Sequence, residues 1–262
     1  MLELRNRQVA DLTPEMVAGY DAVLCDLDGC LVAGGRPLDG ALDFARSVAD
    51  RLWIVSNNSA DTGETLSDRL ALIGFDIPAH RICLAGEVAI HRIARDYPGA
   101  MVQVFAEDPI RDLAQSLGLR LSDHAADVVL LARDPKFTIT GLQRLLKALH
   151  QGADLIVANL DATHPDPDGL PVPETGALAA AVRLCKPDVV LHSFGKPDPA
   201  LIDMALGRSG ATAETSVFVG DNPATDGEAA ARAGLAFIHV ARPTSIPLNE
   251  DLASPPQGAL SC

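Results

Sequence analysis

Short β-rich runs alternate with longer amphipathic stretches along the whole sequence, the rhythm of an α/β protein built on parallel strands. The first clear strand covers 22–27, and Thr13-Pro14-Glu15 before it reads as an N-cap followed by proline at a first helical position. A helix is expected over 40–49, a strand over 52–55, and a helix over 64–73 that stops at Gly74. Further strands fall at 101–105, 128–131 and 155–158. A helix at 139–150 carries Leu142, Leu145, Leu146 and Leu149 on one apolar stripe. A loop dense in Asp, Pro and Gly at 161–173 interrupts the rhythm. Beyond it come an alanine-rich helix (175–184), a strand (189–192), a helix (199–206), a strand (216–219), a helix (225–233) and a strand (236–240). The expected fold class is α/β, a doubly wound parallel sheet with a Rossmann-like core.

A chain of 262 residues, 48% hydrophobic, has enough material for one large domain or two modest ones. Its 21 glycines and 18 prolines are too few for a low-complexity chain. The net charge of −14 argues against nucleic acid and against membrane surfaces as partners, while leaving room for one pocket that collects a small anion. The longest clean apolar run, 128–132, falls far short of the roughly 20 residues that a bilayer requires. Residues 1–10 carry Glu3, Arg5 and Arg7 with no apolar run behind them, so no secretory signal is expected and the expected location is cytoplasmic. The five cysteines are odd in number and form no C-x-x-C pair, and the seven histidines are scattered, which points to free thiols and away from zinc. The tail over 243–262 is rich in proline and is expected to be a surface or mobile segment. A homodimer is the assembly kept open.

Four segments carry chemistry. Ala22-Val23-Leu24-Cys25-Asp26-Leu27-Asp28-Gly29 is an apolar strand that runs into two acids and a glycine, at the strand end where open parallel sheets bind ligands. Two like charges about 4 Å apart repel by roughly 4 kcal/mol at an effective dielectric of about 20, so a cation or a shared proton is expected there. Taken alone, the motif also reads as a strand end whose acids cap a turn. The strand at 216–219 repeats the device, ending in Gly220-Asp221-Asn222 with Asp226 opening the next helix. Carboxylate oxygens of this kind suit Mg²⁺. Asp226 is open to a second reading as a first-turn acid favoured by the helix dipole. Ile54-Val55-Ser56-Asn57-Asn58-Ser59 delivers a hydroxyl and successive backbone N–H groups to the same edge, as a phosphate cradle does. Gly195-Lys196-Pro197 places one of only four lysines just before a helix, as an anion contact or a solvated loop lysine.

In this order the four segments resemble the haloacid dehalogenase-like superfamily of aspartate-nucleophile hydrolases, closely over 21–59 and 194–234. The Asn57-Asn58 pair, the long insertion, and Ala158-Asn159-Leu160-Asp161 with Asp168-Gly169 look like the branch of para-nitrophenyl, pyridoxal and bacterial nucleotide and sugar phosphatases. That branch carries a large inserted α/β cap. The resemblance implies a discontinuous core at 1–79 and 182–242 and a cap at 80–181. It implies Asp26 as nucleophile, Asp28 as general acid and base, Lys196 steadying the charge, and Ser56, Asn57 and Asn58 with Lys196 binding phosphate. It further implies Mg²⁺ held by Asp26, Asp28 and Asp221, with Asn222 and Asp226 behind them. Asn159, Asp161 and His164 in the cap loop are candidates for reading the leaving group. Cys30 stands where a threonine usually follows Asp-Gly, and Glu174-Thr175-Gly176 replaces a commoner turn. The activity implied is hydrolysis of a small phosphate monoester through an aspartyl-phosphate. A phosphotransferase or mutase, and a catalytically retired phosphate-binding regulator, are the alternatives. A dehalogenase would have no need of Asp28 or Mg²⁺, and a two-component receiver would be about half this length without a cap.

Overall fold

The structure, a computed structural model, describes residues 6–166 and 170–241. The tail expected at 243–262 lies outside the described residues, as do Asp168 and Gly169. Two parallel sheets organise the rest. The larger has six strands in the order Asn6–Val9, Ala236–Val240, Ser216–Gly220, Ala22–Cys25, Leu52–Ser56, Ile82–Leu84. Its strands read as continuous apolar runs because both faces are covered. Val23 and Cys25 pack with Val17, Phe44 and Leu66 on one side, while Ala22 and Leu24 pack with Ile202, Ala205 and Ala230 on the other. Each large side chain fully buried this way contributes about 1.5–3 kcal/mol.

The second sheet, also parallel, runs Leu191–Ser193, Asp154–Val157, Val128–Leu131, Met101–Phe105, Arg120–Leu121. The helices Ile139–His150 and Thr175–Cys185 cover one face through Leu145, Leu149, Ala179 and Val182. The leucine stripe of the first helix is divided: Leu145 and Leu149 are buried, and Leu142 and Leu146 pack at the margin. Helix Asp108–Ser116 covers the opposite face through Ile110 and Ala114.

Sheet membership differs from the boundaries expected at 80 and 181. Ile82–Leu84 pairs with Leu52–Ser56, so the larger sheet continues past residue 80. The strand expected at 189–192 as part of the core is instead Leu191–Ser193, paired with Asp154–Val157 in the smaller sheet. Both are three-residue segments whose local sequence does not encode which sheet edge they join. Helix Ala85–Asp96 crosses between the two units: Val88 packs into the core, and Ala89, Ile90 and Ile93 pack into the cap. Phe194 touches both apolar clusters on the return. The edge strand Asn6–Val9 was not among the expected elements. The helix expected at 225–233 begins earlier, as a π-helical turn over Pro223–Gly227 followed by Glu228–Ala233, because the Asn222 carbonyl accepts from Asp226 N–H at 2.8 Å and, five residues on, from Gly227 N–H at 3.4 Å.

The chain winds outward from Ala22–Cys25 through Leu52–Ser56 to Ile82–Leu84, passes into the cap, and returns to lay Ser216–Gly220 on the other flank of Ala22–Cys25. Strand order therefore reverses beside Ala22–Cys25, and the carboxyl ends of these central strands open a crevice there.

Candidate active site

Asp26 follows Cys25 directly, and its N–H extends the ladder to the Val219 carbonyl at 2.9 Å. Ser56 closes the neighbouring strand, and Asp221 follows Gly220 on the other flank. Lys196 reaches this point from the turn between Leu191–Ser193 and helix Ala200–Ser209. Its Nζ lies 2.6 Å from Asp26 Oδ1 and 2.7 Å from Asp226 Oδ1. The amine is buried, Asp226 is fully buried, and Asp226 Oδ2 also accepts from Asn222 N–H at 3.1 Å. Carboxylate oxygens of Asp26, Asp221 and Asp226 all lie within 4.8 Å of one another. Two glycines make this convergence available. A Cβ on Gly220 would sit 2.3 Å from Asp226 Oδ2, and one on Gly29, whose φ is +82°, would sit 2.1 Å from Asp221 Oδ2.

Charge is concentrated here at a cost that one amine does not offset. Burial raises the Asp26 pKa well above the usual carboxylate range, and the Asp226 and Asp221 charges add to that against the opposing pull of Lys196. Burial and the Asp226 charge push Asp221 up to about 6. Burial alone would lower the Lys196 pKa, but Asp226 and Asp26 outweigh it, so the amine is held protonated. Three carboxylate oxygen donors around a cradle that a Cβ would fill are a donor set suited to a hard divalent cation. Asp28 stands on the wall of the cavity rather than in this cluster. Its carboxyl pKa is raised by desolvation, with His164, Lys196 and Arg69 pulling it back.

The crevice widens under the cap into a cavity of about 850 Å³, whose lining includes Asp26, Asp28, Ser56, Asn58, Arg69, Arg133, Asp161, His164, Lys196 and Asp221. Ser56 accepts at Oγ from Asn58 N–H at 3.1 Å, which leaves its hydroxyl proton to give. The asparagines are committed differently from what the sequence led us to expect. Asn58 Oδ1 accepts from the Ala60 and Asp61 N–H groups, both at 2.9 Å, and its Nδ2 donates to Asp61, so the side chain builds the turn. Asn57 Oδ1 accepts from Lys196 N–H at 2.7 Å, and its Nδ2 donates to Lys196 O and to the Asp161 carboxylate. Both side-chain amides thus have protein partners, and the Asn58 N–H is engaged by Ser56 Oγ.

Asn159 is buried and does not line the cavity. Its Nδ2 donates to Asn57 O at 2.8 Å and Ser59 Oγ at 3.1 Å, clipping the cap to the loop after Ser56. Asp161 and His164 do face the cavity. His164 sits on a short antiparallel ribbon, Thr163–Pro165 with Pro171–Pro173, and its Nδ1 lies 2.6 Å from Glu174 Oε1. Asn222 caps the following turn, accepting from Ala224 N–H.

Sequence reasoning missed several lining groups. Arg69, on helix Gly63–Leu72, pairs with the buried Asp61. Arg133 is held between Glu107 at 2.7 Å and Glu174 at 3.1 Å, with its N–H on Ser59 Oγ. Nothing local distinguishes these two arginines from the fifteen others. The signal lies in their pairing with distant acids, which only the fold supplies.

Comparison with known proteins agrees with this architecture. A family model described as haloacid dehalogenase-like hydrolase matches residues 23–120, and a HAD-hydrolase-like model matches 193–257. The chain is 30% identical over 220 residues to dihydroxyacetone phosphatase of Corynebacterium glutamicum, covering 83% of this chain and 79% of that one. It is 30% identical over 225 residues to the ribonucleotide monophosphatase NagD of Escherichia coli, covering 83% and 86%. Among solved structures, glycerol phosphate phosphatase from Mycobacterium tuberculosis in complex with magnesium superposes with a TM-score of 0.78 at 28% identity. That match covers 85% of this chain and 68% of the mycobacterial one. The chain belongs to the haloacid dehalogenase-like hydrolases.

Proposed function

We propose that this protein is a Mg²⁺-dependent phosphatase acting on a small phosphate monoester, of the sugar phosphate or nucleotide class. The observation that carries the reading is Lys196 Nζ set between Asp26 and Asp226, beside Asp221, at the base of a capped cavity. The phosphatase names of the relatives and the magnesium in the mycobacterial structure support it.

In this reading an Asp26 carboxylate oxygen attacks phosphorus while the bond to the leaving oxygen breaks, giving an aspartyl-phosphate and an alkoxide. Asp28, whose burial favours the protonated carboxyl, gives a proton to the leaving oxygen. In the second half Asp28 takes a proton from water as the water attacks phosphorus, and the Asp26 carboxylate is released with inorganic phosphate. Lys196 holds Asp26 in place and offsets negative charge on the transferring group. Ser56 Oγ, whose oxygen the Asn58 N–H holds, and the Asn57 main chain orient its oxygens. The Asp26 and Asp221 carboxylates with the Asp28 main-chain oxygen would hold Mg²⁺, which when bound neutralises the phosphoryl oxygens so that a carboxylate can approach them. Asp161 and His164, from the cap, face the leaving group.

The net charge of −14 disfavours nucleic acid and anionic membranes as partners. Among the described residues no helix is long and apolar enough to cross a membrane. Among the described residues Cys25, Cys30, Cys83 and Cys185 form no disulfide, which suits a reducing compartment, and we place the enzyme in the cytoplasm. The test is turnover of para-nitrophenyl phosphate. Asp26→Asn should abolish it with the fold intact, and EDTA should stop the native enzyme until Mg²⁺ is restored. Turnover that survives either treatment defeats the proposal.

A further inference from the structure

Lys196 is buried and must place its amine at the end of a four-carbon stem to within hydrogen-bonding reach of two carboxylates. Yet it lies in neither strand nor helix, so no ladder or helical hydrogen bond fixes its main chain. The Asn57 amide does so instead. Its Oδ1 accepts from Lys196 N–H at 2.7 Å and its Nδ2 donates to Lys196 O at 3.1 Å, a two-point hold like that of a strand partner. The same Nδ2 donates to the Asp161 oxygens at 3.0 and 3.2 Å. A Cβ on Gly195 would come within 2.9 Å of Asn57 Oδ1, so only glycine lets the chain approach this closely.

We infer that Asn57 is a positioning residue: its side chain sets the main chain of Lys196, and so the amine at Asp26, and ties that setting to Asp161 of the cap. The inference rests on the phosphatase reading above and assigns Asn57 a task other than contacting phosphate. Asp161 lines the cavity beside Lys196, so the contact couples the wall of the leaving-group pocket to the catalytic lysine through one amide. A side chain rigidly placed but misaligned by about 1 Å can lower a rate by about 100-fold, so the effect belongs in turnover rather than in substrate affinity.

The experiment compares the native chain, Asn57→Ala, Asn57→Asp, Asp161→Asn and the pair Asn57→Asp with Asp161→Asn, on para-nitrophenyl phosphate with Mg²⁺. For each, kcat, KM and Tm are measured. Asn57→Ala should lower kcat about 10–100-fold while KM stays within about threefold. Asn57→Asp turns a donor into an acceptor facing two acceptors, Lys196 O and Asp161, and should lose at least as much. Adding Asp161→Asn supplies a donor from the cap and should recover kcat by about fivefold or more, a coupling that a purely structural role would not produce. Unchanged kcat in Asn57→Ala, or a kcat that falls only as far as the folded fraction falls, overturns the positioning role. Absence of recovery in the pair overturns the tie to the cap. An inactive native chain would instead bring down the phosphatase reading and this inference with it.

Discussion

Replacing Gly29 with alanine separates the geometry of the acid cluster from the stability of the fold. Gly29 has φ +82°, so an alanine there takes on left-handed strain of about 1–2 kcal/mol, worth about 2–8 °C in Tm for a chain of this size. The new methyl would also stand 2.1 Å from Asp221 Oδ2, whereas ordinary contact begins near 3.4 Å. Asp221 is a short side chain, so its carboxylate must swing away by roughly 1 Å, out of the cluster it forms with Asp26 and Asp226. Disturbing a ligand's orientation typically costs 10–100-fold in metal affinity, so the Mg²⁺ concentration that gives half-maximal activity should rise by about that factor. The control is Gly19→Ala. Gly19 has φ +87° with nothing within 4 Å of the added methyl, so it should lose similar stability and keep its Mg²⁺ dependence. Activity titrated with Mg²⁺ and paired with thermal melts gives both quantities. An unshifted Mg²⁺ midpoint in Gly29→Ala, or an equal shift in Gly19→Ala, would refute the reasoning.

Ser59→Ala should destabilise the protein by about 1–3 kcal/mol in urea unfolding, because the Arg133 and Asn159 N–H groups both lose their acceptor in a buried place. A midpoint equal to that of the native chain would show that this seam contributes nothing. The pH dependence of the metal-free protein should carry the mark of Asp221. Its pKa rises on folding from 3.8 to about 6, so between these values the folded chain binds more protons and stability falls as pH rises. Asp221→Asn should flatten that part of a Tm profile recorded in EDTA, and an unaltered slope would reject the assignment.

The convergence of Asp26 and Asp221 was legible from sequence because each apolar run stops at its acid, whereas Lys196, in a turn, was joined to them only by the resemblance. A buried parallel strand must end where the charge begins, so strand end and site coincide. The side-chain tasks of Asn57, Asn58 and Asn159 were not legible. An asparagine that caps a turn, one that clips two sheets and one that meets a ligand have the same local sequence signature, and only the partner distinguishes them. The same holds for Ile82–Leu84 and Leu191–Ser193. Three residues, Ile-Cys-Leu in one and Leu-His-Ser in the other, do not specify the sheet that receives them, and that choice goes with helix Ala85–Asp96 and Phe194 packing between the two units.

The seam between cap and core also bears on how such enzymes can be recombined. Gly195 abuts the Ala158 carbonyl and the Asn57 amide, and Asn159 reaches across to Asn57 and Ser59. A chimera that grafted a foreign cap while keeping the native Asn57-Asn58-Ser59 loop would mismatch both halves of this joint. The transplantable module is the cap together with that loop and Gly195, and the ribbon carrying His164 travels with it, because His164 meets Glu174, which also holds Arg133 against Ser59.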